Sequence, residues 1–127
     1  MGLVLDSSVL IAAERDAKPV SELLAALEQV HGETEIVLSS ITVIELEHGF
    51  YRARTADLAQ KRRDYLNTIF VVIPVEPLTR EIAQLAAKID VEAKQTGRVI
   101  PFQDLLIGVT ALYFNYTVGT PTCVTSR

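Results

Sequence analysis

The stretch LVLDSSVL, residues 3–10, decides the fold. Three apolar residues, Leu3, Val4 and Leu5, run into a carboxylate, Asp6. Two hydroxyls follow, and apolar residues then resume. A short, unbroken apolar run reads as a strand covered on both faces, as in a parallel sheet between helix layers. Ligands of such folds sit beyond the carboxyl ends of the strands. Asp6 therefore has two readings. It can cap the helix VLIAAER that follows, a role Ser7 could also take, or it can belong to a site.

Outward from this stretch, strands alternate with helices. Pro19 opens a helix, VSELLAALEQV, that ends near His31-Gly32. IVLSS (36–40) is a strand closing in hydroxyls, and Ser40 or Thr42 starts the helix ITVIELEHGFYRAR. Thr55 and Asp57 mark the start of ADLAQKRRDYLNTIF, and VVIPVEP reads as a strand and turn. Thr79 precedes REIAQLAAKIDVEAKQ, with Gly97 as its stop. RVIPFQD leads into DLLIGVTALYFN, and Tyr116–Val118 reads as one more short strand. The order predicts an α/β fold around a parallel sheet, in one domain over residues 1–127.

Composition narrows the class. The chain has 127 residues, 49% hydrophobic, with a mean hydropathy of +0.26, enough for a substantial core. Runs such as LLIGVTALYF (105–114) are too short to span a bilayer. No signal-peptide pattern opens the chain, and Cys123 is the single cysteine, so a cytoplasmic setting is expected. A net charge of −4 argues against a protein that coats nucleic acid, but not against an enzyme that cuts it. Arg52, Arg54, Lys61, Arg62 and Arg63 cluster in one stretch. They read either as a solvated helix face or as a guide for an RNA backbone.

Three acids carry the chemistry. Asp6 ends the first strand, Glu45 lies early in the helix after IVLSS, and Asp104 opens the apolar helix after IPFQ. Acids in apolar settings are paired or bound to a cation. Converging carboxylates repel one another unless a cation intervenes, and oxygen-only ligands favour Mg²⁺ or Mn²⁺. Such ions suit phosphoryl chemistry. The three side chains are expected in one cleft. Other motifs fail: Asp6-Ser7-Ser8 lacks the second acid of an acyl-phosphate site, there is no phosphate-binding glycine loop, and Glu45-x-x-His48 occurs once where a di-metal bundle needs two copies. His31 and His48 have no serine or cysteine partner nearby in sequence. Glu47 cannot share Glu45's helix face and is expected to meet solvent or a neighbouring helix.

The segments LVLDSSVLIAA, SSITVIELEHG and IPFQDLLIGVTAL together resemble the PIN-domain ribonucleases, most of all the VapC toxins of type II toxin–antitoxin systems. The resemblance implies a three-layer α/β/α sandwich with a central parallel sheet. It implies a Mg²⁺- or Mn²⁺-dependent endoribonuclease acting on RNA, a cognate antitoxin and a homodimer. Asp6, Glu45 and Asp104 match the family's first three acidic positions, as metal ligands and catalytic groups. Ser7 and Thr120 match supporting hydroxyls. Arg52, Arg54, Lys61 and Arg62 are the RNA-binding candidates, and Phe50, Tyr51, Leu58 and Tyr65 the candidates for a dimer face.

The resemblance departs after Thr120. Pro121 and Thr122 stand where the family continues with an acid or asparagine, and no acid follows Asp104. An altered or truncated C-terminus after about residue 120 is expected, without the last edge strand and the fourth acidic position. Reduced activity and weak metal binding would follow. The competing reading is a catalytically impaired binding module that engages an antitoxin or itself. A phospho-acceptor domain ranks last, since it lacks paired acids near the first strand.

Overall fold

The computed structural model describes residues 2–120. The chain runs β1 (Gly2–Leu5), α1 (Ser7–Arg15), α2 (Val20–His31), β2 (Glu35–Ser39), α3 (Ser40–Tyr51), α4 (Ala56–Val72), β3 (Val75–Glu76), α5 (Arg80–Gln95), α6 (Phe102–Phe114) and β4 (Thr117–Gly119). The four strands form one sheet in the order β3-β2-β1-β4, and every pairing is parallel. β1 is central and all four of its residues are buried, which accounts for its unbroken apolar run.

Side-chain alternation divides the core. Leu3, Leu5 and Leu38 point to one face, where they pack with α1, α2 and α4 through Leu10, Leu23, Leu27, Leu66 and Ile69. Val4 and Val37 point to the other face and meet Ile107 and Ala111 of α6. α5 rides on α6 through Ile82 and Ala86 against Leu105, Leu106 and Val109. The result is the expected α/β/α sandwich.

Most helix ends follow their sequence signals. Thr55 and Thr79 cap α4 and α5, accepting from the backbone N–H groups of Leu58 and Ile82. Gly97 takes φ +81° just past α5, and Arg98 N–H reaches back to Ala93 O. The cap of α3 is Ser39, one residue before the expected start. Its hydroxyl accepts from Ile41 and Thr42 N–H.

The reading of VVIPVEP as a strand needs correction. Val71 and Val72 complete the last turn of α4, and only Val75–Glu76 is strand. Ile69 and Ile73, four residues apart, are both buried, so the helical period persists until Pro74 stops it. The β-branched residues there favour a strand locally, but burial of that stripe outweighs propensity. The expected alteration after residue 120, with its missing edge strand, lies outside the described residues.

Candidate active site

The carboxyl ends of β1, β2 and β4 lie on one side of the sheet, and α1, α3 and α6 begin there. Asp6 follows β1 directly. Its backbone has the extended geometry of a helix cap, φ −75° and ψ 149°, but its side chain caps nothing. Its Oδ2 instead accepts a 2.6 Å hydrogen bond from Ser8 Oγ. The backbone N–H of Asp6 donates to Gly119 O at 2.9 Å, so β4 helps hold the acid in place.

Asp6 shares a cleft of about 220 Å³ with Asp104 and Thr120, walled by Ile107, Gly108 and Val118. Asp104 sits in the first turn of α6, where the helix's positive end favours a carboxylate. It is exposed, not sunk in the apolar face that its neighbours suggested. Among the described residues no cation pairs with Asp6, Glu45 or Asp104.

Glu45 lies across Ser7 from this cleft. Ser7 is buried at the start of α1, and its Oγ donates to Glu45 Oε1 at 2.9 Å. Glu45 lines a second cavity with Leu10, Glu14, Arg52, Arg62 and Tyr65. Asp6 and Asp104 thus share a cleft, and Glu45 joins them through the serine beside Asp6. Among the described residues, no three His, Cys, Asp or Glu side chains are grouped as the ligand set of one ion. The donors present are all hard oxygens. Two carboxylates and a hydroxyl suit an ion that retains several waters, as Mg²⁺ does.

Two hydroxyls of the site escaped the sequence reading. One is Ser8, which braces Asp6. The other is Thr42, fully buried, whose Oγ1 donates to Leu5 O at 3.3 Å and ties α3 to the end of β1. Both belong to the hydroxyl-rich segments SS and SSIT, which signalled helix starts but not their cross-element partners.

The basic stretch divides by role. Arg62 Nη1 donates to Gly49 O at 2.6 Å and so caps a carbonyl of α3. Arg63 forms a two-point pair with Glu47, at 2.6 and 3.0 Å, and lies 4.2 Å from the Phe50 ring centroid. That bonded guanidinium holds the Glu47 carboxyl below the usual carboxylate range. Arg52 and Lys61 are exposed on cavity walls, and Arg54 is exposed between α3 and α4. Of the residues expected on a dimer face, Phe50 and Tyr65 pack against the main core, Leu58 lines a cavity, and Tyr51 is exposed. No helix among the described residues is long and apolar enough to cross a membrane.

Solved structures share this fold. VapBC2 from Rickettsia felis, bound to a DNA fragment from its promoter, superposes with a TM-score of 0.79 at 22% identity, covering 94% of this chain and 86% of that one. DNA-bound VapBC from Salmonella typhimurium gives 0.79 at 17% identity, with 100% and 92% covered. FitAcB from Neisseria gonorrhoeae gives 0.69 at 25% identity, with 96% and 89% covered. Against curated proteins the chain has no significant match. The family model of the PIN domain matches residues 3–120, nearly the whole chain. The chain belongs to the PIN domain family.

Proposed function

We propose that the protein is a metal-dependent endoribonuclease of the VapC type, the toxin of a toxin–antitoxin pair, hydrolysing RNA phosphodiester bonds. The observation that carries this reading is the pairing of Asp6 with Asp104 in one cleft at the carboxyl end of β1, without a protein cation among the described residues to neutralise them. Asp6 and Asp104 would hold Mg²⁺ or Mn²⁺, with the Thr120 hydroxyl at the same cleft. When bound, such an ion offsets charge on the phosphodiester and acidifies a water.

The chain's own residues supply the rest. Ser8 fixes the orientation of the Asp6 carboxylate by donating to Oδ2. Ser7 turns Glu45 toward the start of α1. Arg52, on the cavity that holds Glu45, and Lys61, on the cavity next to it, would supply positive charge for the RNA backbone. A cognate antitoxin, a homodimer and a cytoplasmic setting belong to the same reading. It is supported by family membership and by the fold shared with VapBC complexes.

One observation favours a second reading, a PIN-like module that binds an antitoxin or itself with impaired chemistry. Glu45 stands outside the Asp6–Asp104 cleft, so a three-carboxylate ligand set is not assembled among the described residues. Incubation with single-stranded RNA and Mg²⁺ or Mn²⁺, with and without chelator, separates the readings. The nuclease reading expects cleavage that requires the metal and is lost in Asp6→Asn. No products from a folded and metal-loaded protein would leave the binding module, and metal-independent products would overturn the metal-dependent reading.

A further inference from the structure

A further cavity, larger than the acidic cleft, lies apart from it. It measures about 540 Å³ and lies between α1, the turn after it, and α4. That volume falls within the range of small-ligand sites, about 300–1,000 Å³. Its floor is apolar, formed by Ile11, Leu58 and the ring of Tyr65. Its rim carries Arg15, Lys18, Lys61 and Arg62 against the single carboxylate of Glu14. This local excess of cations occurs in a chain whose net charge is −4.

The cavity continues toward Glu45. Ile11, Glu14, Arg62 and Tyr65 also line the cavity that holds Glu45 and Arg52. Two of the shared side chains are fixed in place. Arg62 is anchored on Gly49 O, and Tyr65 OH donates to Leu10 O at 3.0 Å. Burial and the nearby Glu14 push the Tyr65 phenol up to about 12, so its hydroxyl stays protonated as the donor to Leu10 O. An apolar floor with an aromatic wall and a cationic rim matches the two surfaces of an unpaired nucleotide, base and phosphate.

We propose that the cavity between α1 and α4 is a subsite for a nucleotide of single-stranded RNA flanking the cleaved bond. Its base would lie on Ile11, Leu58 and Tyr65, and its phosphates would meet Lys18 and Lys61. The proposal rests on the ribonuclease reading for its link to cleavage, but the binding it describes can be measured without it.

The test is fluorescence anisotropy of a labelled single-stranded oligoribonucleotide in EDTA, where no metal-dependent cleavage occurs. Lys18→Ala/Lys61→Ala removes two rim charges without touching Arg62, which also supports α3. The double variant should bind at least about tenfold more weakly. Its salt dependence should flatten by about 1.4 in log–log slope, two phosphate contacts at about 0.7 each. Ile11→Ser alters the floor at a residue already 45% exposed, so the fold should tolerate it. It should weaken binding of the normal strand but not of an abasic strand of equal length. A thermal melt verifies folding of each variant. RNA binding that depends on these residues, from a protein that cleaves nothing with Mg²⁺ or Mn²⁺, would uphold the subsite and sink the nuclease reading. Wild-type affinity in the lysine variant of a cleaving enzyme would overturn the subsite alone. Absence of RNA binding by the wild type, or capture of an acidic apolar peptide in its place, would also overturn it.

Discussion

Ser7 Oγ and Glu45 Oε1 meet at 2.9 Å although 38 positions separate them in sequence. The bond joins the first residue of α1 to the middle of α3, and so connects the helix beginning beside Asp6 to the one carrying the second acid. Ser7→Ala should cost about 1 kcal/mol in urea unfolding, a typical value for one hydrogen bond with a partly exposed carboxylate. If Glu45 acts in cleavage, the same change should lower the rate by about tenfold, as loss of a ligand-orienting partner does. Ser7→Thr keeps the hydroxyl and should recover most of the rate. A Ser7→Ala enzyme that unfolds earlier but cleaves at full rate would make the bond purely structural.

Asp6→Asn and Asp104→Asn should uncouple stability from activity. The two carboxylates share a cleft, and among the described residues neither has an ion-pair partner. Neutralising either should change the metal-free melting temperature little, since the helix terminus favours the exposed Asp104 carboxylate by no more than about 1 kcal/mol. Mn²⁺ affinity by calorimetry and metal-dependent cleavage should each fall by about 100-fold or more. Variants that melt earlier and still bind Mn²⁺ like the wild type would show that the acids serve the fold and not an ion.

Much of this was legible in the sequence, and the reasons differ by element. β1 was read from LVL because burial on both faces leaves no polar alternation to obscure it. α5 was read from its threonine cap and Gly97, both local signals. The candidate acids stood out because carboxylates are conspicuous among apolar neighbours. What stayed hidden depends on which elements pack together. The division of Arg62 and Arg63 into a carbonyl cap and a Glu47 partner follows from α4 lying on α3. The separation of Glu45 from the Asp6–Asp104 cleft likewise depends on how α3 sits against α1, and no spacing encodes that.

The Arg63–Glu47 pair sets a pH dependence. Glu47 is held below the ordinary carboxylate value of 4.5, chiefly by the hydrogen bond from Arg63, and each side chain is 27% exposed. A depressed folded-state value contributes stability that is present in full above the unfolded value. That stability is lost as pH falls through the folded value. Wild type should therefore exceed Glu47→Gln in urea midpoint near neutrality, and the two should converge in acid below about pH 4.5. A gap between them that persists undiminished at the acid end would assign the effect to packing on Phe50.

Ala17 should welcome glycine. It follows α1 with φ +55°, and Lys18 N–H closes the helix end on Ala13 O at 2.8 Å. The left-handed conformation costs a residue with a Cβ about 1–2 kcal/mol, while glycine loses about 0.5–1 kcal/mol of extra chain entropy. Ala17→Gly should thus stabilise the protein by about 0.5–1 kcal/mol in urea unfolding. A loss of stability would mean that the alanine methyl on the α1–α4 cavity wall contributes more than the strain it imposes.

Gly119 should refuse alanine, and the refusal should be felt at Asp6. A Cβ at Gly119 would stand 2.8 Å from Leu5 Cδ2, a side chain with no exposed surface in the core beneath β1. Leu5 could yield only by disturbing its buried neighbours, so Gly119→Ala should cost about 1–3 kcal/mol. The backbone makes the second consequence. Gly119 O accepts from Asp6 N–H, and Thr120 follows on the acidic cleft, so displacing β4 moves both walls of that cleft. Cleavage and Mn²⁺ affinity should fall along with stability. Leu5→Val shortens the obstructing side chain and by itself leaves a small cavity. Combined with Gly119→Ala it should recover part of the loss, giving a favourable coupling in a double-mutant cycle. Strict additivity of the two changes would place the alanine's cost elsewhere than in contact with Leu5, and would remove the argument that β4 positions Asp6 through this packing.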